Sequence, residues 1–534
     1  MDNNEYMAMY DVRGIQNYIF NTNTLKEIIG GSGIVADLII DVFKKAIEKE
    51  FKRNEYLLDD EIYDQNNQPK DLQFFENKAL KMEVLYYGGG NLVVLYRTTE
   101  EVINRINKII SMQLIKRSYS LSLACAYIHI TNKDSYASDY RKLNEEMVAV
   151  KDNQPEIKMT GAFPIVATDP ISGYPLSEIN PVTHRKTTRE SYLKLKYYMK
   201  MQENGKKHQS SMKSLEEYEG NEIELFGTSK GDENLIAIAH IDGNSFGSSI
   251  MNIIKDAKTY NDAAKRMRII ARNIKNAFDD QAINTVRNKL EEFAKEAGME
   301  NPHPIFRPII NAGDDITFVC NARIAMRCVK TFIETIHQYA IDQDITYDHK
   351  AGPFSACAGI AILHNGFPFS RGYELAEELC DSAKKRAKGH KVNNGYIESY
   401  VDFQYCYSGI VNSLEKLRES NYIANDGTNL CLRPYRIDID HTNDVMGIFD
   451  LSLFNERMKM LKKEGGLPRS KAKELRDVYF EGEEALENAI TMFTSRASGK
   501  DLPKHINDYY LEMDSQRYAT YYDALEMLDL HWEE

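Results

Sequence analysis

The sequence predicts an α+β protein in which one unit of strand, helices, hairpin, helix and strand occurs twice, followed by a helical tail. Three observations predict it. An apolar run ends in an acidic residue at equivalent places: Tyr6 to Tyr10 leads into Asp11-Val12-Arg13-Gly14, and Leu235 to Ile241 leads into Asp242-Gly243-Asn244. Two further apolar runs then flank a turn: Lys81 to Tyr87 and Leu92 to Tyr96 around Gly88-Gly89-Gly90-Asn91, and Pro304 to Asn311 and Ile316 to Cys320 around Ala312-Gly313-Asp314-Asp315. A third apolar run closes each copy, Leu121 to Ile130 and Ser355 to Leu363.

Short apolar runs bounded by turn residues read as buried strands, and Gly with Asp or Asn between two such runs reads as a hairpin. Val35, Leu38, Ile39, Val42, Phe43, Ala46 and Ile47 recur at helical spacing, predicting a helix over 34–49. Leu375, Leu379 and Ala383 do the same over Glu374 to Lys388. A repeat of well over a hundred residues is a duplicated domain, because solenoid periods run roughly 20 to 50 residues. The expected domains are 1–150, a first and degenerate unit; 151–233, a polar and basic connecting segment broken by Pro155, Pro164, Pro170, Pro175 and Pro181; 234–410, a second unit; and 411–534, a helical domain interrupted at Gly465-Gly466-Leu467-Pro468.

Composition narrows the function classes. With 534 residues, 43% hydrophobic and 28% charged, the chain is an ordinary globular one of several domains. No apolar stretch reaches the roughly 20 residues that span a bilayer, and Met1-Asp2-Asn3-Asn4-Glu5 does not resemble a signal peptide, so a cytoplasmic protein without a membrane partner is expected. Seven cysteines placed mostly in apolar runs read as buried thiols, with no disulfide partner and no zinc site. A net charge of −13 argues against a surface that grips nucleic acid everywhere. Residues 184–213 depart from that average, with nine Lys or Arg against two Glu. Such a run reads first as a solvated helical face or mobile linker and second as a contact for RNA or a partner.

The chemistry sits in Asp242, Asp314 and Asp315. If their strands are neighbours, three carboxylates converge at one sheet edge, an oxygen-only set suited to a hard cation shared with phosphates. On its own Asp-Asp in a hairpin is ordinary turn chemistry. Its recurrence as part of a duplicated arrangement separates it from that background. The first copy has Gly90-Asn91 in place of Asp314-Asp315, so it is expected to bind a nucleotide without doing chemistry. Gly30-Gly31-Ser32-Gly33 is read as the start of the 34–49 helix, where free amides and a Ser cap favour an anion, or alternatively as a cap without a ligand. Lys384, with Lys388 in reserve, is read as a triphosphate clamp, or alternatively as basic residues complementing a helix dipole. His240 reads as a packed core histidine.

These pieces, Asp11 to Phe20, Gly30 to Gly33, Gly88 to Asn91, Asp242-Gly243-Asn244-Ser245-Phe246-Gly247, Ala312 to Asp315 and Ala361 to Lys388, resemble the large polymerase-type subunit of type III CRISPR effector complexes. The resemblance covers residues 1 to about 130 and 234 to 400. It implies two ferredoxin-like palm domains, with a composite pocket between them for two ATP molecules. It also implies metal ligation by Asp242, Asp314 and Asp315, and products that are cyclic oligoadenylates or an adenylylated small molecule used in antiviral defence. Gly89, Gly90, Asn91, Gly243, Asn244, Ser245, Phe246 and Gly313 join the nucleotide-binding set. Three departures from the family stand out: the sequence opens on the first palm, so single-stranded DNA cleavage by a nuclease domain is not expected; Thr168 to Gly173 carries no zinc-binding cysteines; and Ala312 replaces the first Gly of the GGDD hairpin.

The expectation is therefore a nucleotidyltransferase using ATP with Mg²⁺ or Mn²⁺. Its rivals are a largely non-catalytic scaffold that binds guide or target RNA and other effector subunits, and a stand-alone cyclase outside any such complex.

Overall fold

The computed structural model describes the chain except residues 1–3, 66, 89–90, 131–135, 155–164, 206–234, 256, 300–303, 305, 346–352, 365–366, 390–395, 407–412, 440–446, 448, 463–465, 496–498, 500, 514 and 533–534. The first unit runs β1 (Glu5–Arg13), α1 (Ile15–Phe20), α2 (Leu25–Glu50), β2 (Tyr56–Leu57), β3 (Met82–Gly88), β4 (Asn91–Arg97), α3 (Glu100–Ser118), β5 (Ser122–His129) and α4 (Tyr136–Asn153). A two-stranded ribbon, β6 (Glu178–Ile179) with β7 (Lys186–Thr187), and α5 (Arg189–Gly205) follow. The second unit then runs β8 (Leu235–Gly243), α6 (Phe246–Lys255), α7 (Tyr260–Lys275), a π-helical segment (Asn276–Ala282), α8 (Ile283–Asn288), α9 (Leu290–Glu296), β9 (Phe306–Ala312), β10 (Asp315–Asn321), α10 (Ala325–Asp342), β11 (Ala356–His364), α11 (Phe369–Gly389) and β12 (Tyr400–Tyr405).

The two sheets repeat one topology. Their orders are β2-β3-β4-β1-β5 and β13-β12-β11-β8-β10-β9, where β13 is Tyr435–Arg436. In each, the first strand lies between the second hairpin strand and the closing strand, antiparallel to both. This is the expected ferredoxin-like order. The repeat holds at the level of register: Asp11 faces Asn91 across β1 and β4, and Asp242 faces Asp315 across β8 and β10.

Strand periodicity places two cores. Met7 and Met9 of β1, with Ala237, Ala239 and Ile241 of β8, belong to one cluster, whereas Tyr6, Ala8 and Tyr10, with Ile236 and Ile238, belong to the other. Both clusters contain residues of both units, so the units share their interior. They pack reciprocally: α7 lies against β3, α2 against β9, α1 against α11, and α6 against α4. Arg268 of α7 fastens this interface. Its fully buried guanidinium donates to Glu83 Oε1 at 3.0 Å and to the carbonyls of Val84 and Leu85 at 2.9 Å.

Two sequence expectations change here. The basic run does not form only a solvated face or linker, because α5 packs along α2. Lys194 is buried there, its ammonium donating to Glu190 Oε1 at 2.7 Å and to the Tyr18 carbonyl. Lys206, Lys207 and Lys213 lie outside the described residues. The glycine cluster does not begin a helix either. Helix α2 starts at Leu25, so Gly30, Gly31 and Gly33 lie inside it with their amides in the helical hydrogen-bond ladder rather than at a free N-terminus. The physical reason is close packing: a Cβ on Gly30 would lie 2.0 Å from the Lys194 carbonyl oxygen, and one on Gly33 2.7 Å from Tyr197 and Met201.

The tail comprises α12 (Leu414–Asn421), α13 (Leu451–Lys462), α14 (Arg469–Glu481), α15 (Glu483–Thr494) and α16 (Tyr522–Glu526), with an unanticipated ribbon of β14 (Tyr510–Met513) and β15 (Gln516–Ala519). It is tied to the second unit. Trp532 donates to the Ala322 carbonyl at 2.7 Å, and buried Arg433 bridges Asp523, Glu526 and Gln404. All seven cysteines are free thiols, and no helix among the described residues is long and apolar enough to cross a membrane.

Candidate active site

The site begins at the exit of β8. Register puts Asp315, the first residue of β10, directly opposite Asp242, and the Gly243 amide donates to the Asp314 carbonyl at 3.1 Å. Gly313 and Asp314 form the tip between the paired residues Ala312 and Asp315, with Gly313 at φ +80°. That left-handed conformation suits Gly and explains why the last Gly of the motif is kept while Ala312, still in the strand, is tolerated. Gly243 is needed for space, since a Cβ there would meet the Phe246 ring at 2.1 Å. Phe246 packs on Phe278 and Phe354 beneath the turn. Asn244 points elsewhere: its amide donates to Ser355 Oγ at 3.1 Å and to the Glu398 carbonyl at 3.2 Å, anchoring the turn. Ser245 takes φ +62° as the chain bends into α6.

Helix α11 supplies the cation. Gly359 of β11 lets the helix lie directly on the sheet, a Cβ there being 2.1 Å from the Ala376 carbonyl oxygen. Lys384 then reaches Asp242, and the two form a hydrogen-bonded ion pair. Burial pulls the Lys384 ammonium down, but the charge and hydrogen bond of Asp242 outweigh it and raise the net value. Lys388, one turn on, is exposed.

One ammonium does not balance the carboxylates. Burial, followed by the charges of Asp242, Asp314 and Glu377, pushes Asp315 up to about 8. Burial and Asp242 push Asp314 up to about 6. His240 lies 3.3 Å from Asp315 Oδ1 but gives little charge compensation near neutral pH, because burial lowers it to about 4; its Nδ1 lies 3.0 Å from Thr317 Oγ1. Asp315 Oδ1 is buried with no hydrogen-bond partner among the described residues. Like charges directly opposite on neighbouring strands are destabilising unless compensated. A cross-strand Asp pair with an orphaned buried oxygen and all-oxygen donors therefore fits a divalent hard cation. Among the described residues, no three His, Cys, Asp or Glu side chains are already gathered into a cage.

A cavity of about 920 Å³ opens beside this cluster, walled by both units. Asp314 and Gly313 line it from the second unit, Ser32, Gly88 and Asn91 from the first. Ser32 also donates to the Ile309 carbonyl, fastening α2 to β9. Of the anticipated nucleotide seat, Ser32 and Asn91 thus reach the cavity, the α2 glycines face α5, and Gly89 and Gly90 lie outside the described residues.

Two features escaped sequence reading. Asp11 forms an ion pair with Lys151 of α4, as Asp242 does with Lys384 of α11. Lys384 lies 142 residues from Asp242, and Lys151 lies 140 from Asp11, so the repeat itself carried that signal. Asp279, on the π-helical segment, also lines the cavity, and nothing local in the sequence marks it.

Residues 235–392, which hold the whole carboxylate cluster and Lys384, match the Cas10/Cmr2 family, second palm domain. Over these residues the chain is Cas10-like. Its whole length superposes on 70% of Csm1 from T. onnurineus with a TM-score of 0.57 at 13% identity. It likewise covers 70% of the matched chain in a Csm1-Csm4 cassette in complex with cA4, at TM-score 0.56 and 13% identity. The same cassette in complex with one ATP gives 0.55 and 12%, again with all of this chain and 70% of the other covered. At these identities the likeness is one of fold, and it fits a Cas10-like chain of two palms and a helical region. No curated protein matches the chain.

Proposed function

We propose that this Cas10-like chain is a metal-dependent nucleotidyltransferase that converts ATP into a cyclic oligoadenylate-type or adenylylated messenger for antiviral defence. One observation carries the reading: the Asp242–Asp315 cross-strand pair lies beside a hairpin tip whose Asp314 lines a cavity shared by two palms. A two-palm cavity can hold two nucleotides against each other, which is what joining them requires. The solved Csm1-Csm4 cassettes, in complex with one ATP and with cA4, support a substrate and product of this class and a Csm4-like partner subunit.

In the reaction, a ribose hydroxyl oxygen of one nucleotide forms a bond to the α-phosphorus of the other, the bond between that phosphorus and the bridging oxygen of pyrophosphate breaks, and the hydroxyl's proton is released to solvent. Asp242, Asp314 and Asp315 would hold Mg²⁺ or Mn²⁺, and such a cation would lower the pKa of the hydroxyl and neutralise the leaving pyrophosphate. Lys384 pairs with Asp242 and offers its other two protons to phosphate oxygens. Phe246 and the apolar walls exclude water from the reacting groups. Asn91, where the second palm has Asp315, gives the first palm a neutral partner for a nucleotide and restricts the chemistry to one side.

Mass spectrometry of products after incubating the purified chain, alone and with a Csm4-like partner, with ATP and Mg²⁺ or Mn²⁺ tests this. Oligoadenylate or adenylylated product is expected, and Asp314→Ala is expected to abolish it while leaving the thermal unfolding transition in place. Undiminished turnover by that variant would contradict the assignment, and silence under every condition would favour the scaffold role.

A further inference from the structure

A second orphaned polar atom is buried beside the one on Asp315. Tyr373 of α11 is 3% exposed, and its hydroxyl has no hydrogen-bond partner among the described residues. Its ring is held from both palms. Phe20 of α1 stacks on it with centroids 4.1 Å and planes 20° apart, and His240 of β8 meets it edge-on at 5.8 Å. Gly372 lets this part of α11 lie on the sheet, since a Cβ there would be 2.2 Å from Leu363 and 2.7 Å from Ile238. The same His240 has its Nδ1 3.3 Å from Asp315 Oδ1, so the ring and the carboxylate border one histidine. Tyr373, Glu377, Cys380 and Lys384 recur every three or four residues, which puts the tyrosine on the face of α11 that also delivers the ammonium to Asp242. Packing alone does not call for a tyrosine. Phe would fill the space between Phe20 and His240 without burying a polar atom, and a buried hydroxyl left unpaired is costly. Asp315 Oδ1 has the complementary deficit, an acceptor without a donor.

We infer that Tyr373 is a positioning residue whose hydroxyl donates to Asp315 and holds that carboxylate in its cation-binding orientation. This rests on the metal-dependent reading of the site and deepens it. A carboxylate offers about four lone-pair sites on its two oxygens, so a hydrogen bond and a cation do not compete for it. The hydrogen bond fixes the rotamer and leaves the remaining lone pairs to ligate. Burial, and then the charge of Asp315, push the Tyr373 hydroxyl above its ordinary value, so it keeps the proton it donates. Outer hydrogen bonds of this kind are worth about 10- to 100-fold in metal affinity. Because Phe20 belongs to the first palm, the docking of the palms contributes to the orientation of a ligand on the second.

The test is a titration of Mn²⁺, read by the electron paramagnetic resonance of the free ion, into the full chain and into Tyr373→Phe, repeated with a non-hydrolysable ATP analogue. Binding by wild type is expected to be lost in an Asp314→Ala, Asp315→Ala double variant. Tyr373→Phe is expected to bind Mn²⁺ about 10-fold or more weakly, with a melting temperature no lower than that of wild type. The same loss is expected when Tyr373→Phe is made in a Glu377→Gln background. Its disappearance there would assign the hydroxyl to Glu377 and overturn the inference. Unchanged Mn²⁺ affinity in Tyr373→Phe overturns it too, as does a loss of affinity that comes with a lowered melting temperature, which would mark a packing role. If wild type binds Mn²⁺ at the carboxylates and Tyr373→Phe binds it equally well, only the part of the tyrosine fails. If wild type binds no Mn²⁺, both readings fail.

Discussion

At the scale of residues, the site is governed by carboxylates held closer than their charges favour. Asp315 faces Asp242 across two strands, and its ordinary unfolded value near 4 rises to about 8 in the fold. Between those values the folded chain holds a proton that the unfolded chain has released, so this group makes stability fall as pH rises from about 4 to about 8. Asp315→Asn should therefore raise the melting temperature of the metal-free chain more at pH 8 than at pH 5. Added Mg²⁺ should raise the melting temperature of wild type at pH 8 and that of the variant less; equal shifts would argue against a cation at this position. Lys384→Met should cut product formation by about 10-fold or more, since it removes both the ion pair of Asp242 and a phosphate donor. The three aspartates were legible in the sequence because strand-end and hairpin-tip positions are fixed by local pattern. The Asp11–Lys151 pair was legible only through the repeat. Asp279 was not, because its place in the cavity depends on how α7 docks on the other palm.

At the scale of elements, helix α2 marks the limit of local reading. Gly costs roughly 1 kcal/mol relative to Ala inside a helix, so three of them within four residues look like a break or a phosphate-binding start. The helix runs through them because α5, more than 150 residues further on, presses its backbone against Gly30. Gly30→Ala should then destabilise the chain by about 1 to 3 kcal/mol through overpacking, measured by denaturant unfolding, while nucleotide affinity in the folded fraction is preserved. A selective loss of ATP binding at wild-type stability would restore the phosphate-loop reading. The hairpin β9–β10, by contrast, was legible within a residue or two, since Gly313 needs positive φ and its flanks are apolar. The π-helical segment and the β14–β15 ribbon had no such local signature.

At the scale of the whole molecule, a duplicated unit packs on its own copy with approximate two-fold correspondence, α7 on β3 and α2 on β9. The sequence showed the duplication; the docking depends on long-range contacts that no window contains. Arg268 fastens it, with a guanidinium fully buried against Glu83 and carbonyls of β3. Removing one partner of a buried pair leaves the other uncompensated, at a cost of about 3 to 5 kcal/mol. Arg268→Ala should lower stability by that order in denaturant unfolding and reduce ATP binding with it, because the cavity exists only where the palms meet. The central claim is that cation and nucleotide meet at this junction, beside Asp242, Asp314 and Asp315. The most direct measurement is the anomalous diffraction of manganese in crystals grown with Mn²⁺ and a non-hydrolysable ATP analogue. The account predicts a manganese peak bound by those carboxylates and analogue phosphates, with the base in the inter-palm cavity. Manganese and analogue bound together elsewhere on the chain, with the three carboxylates free of both, would contradict it.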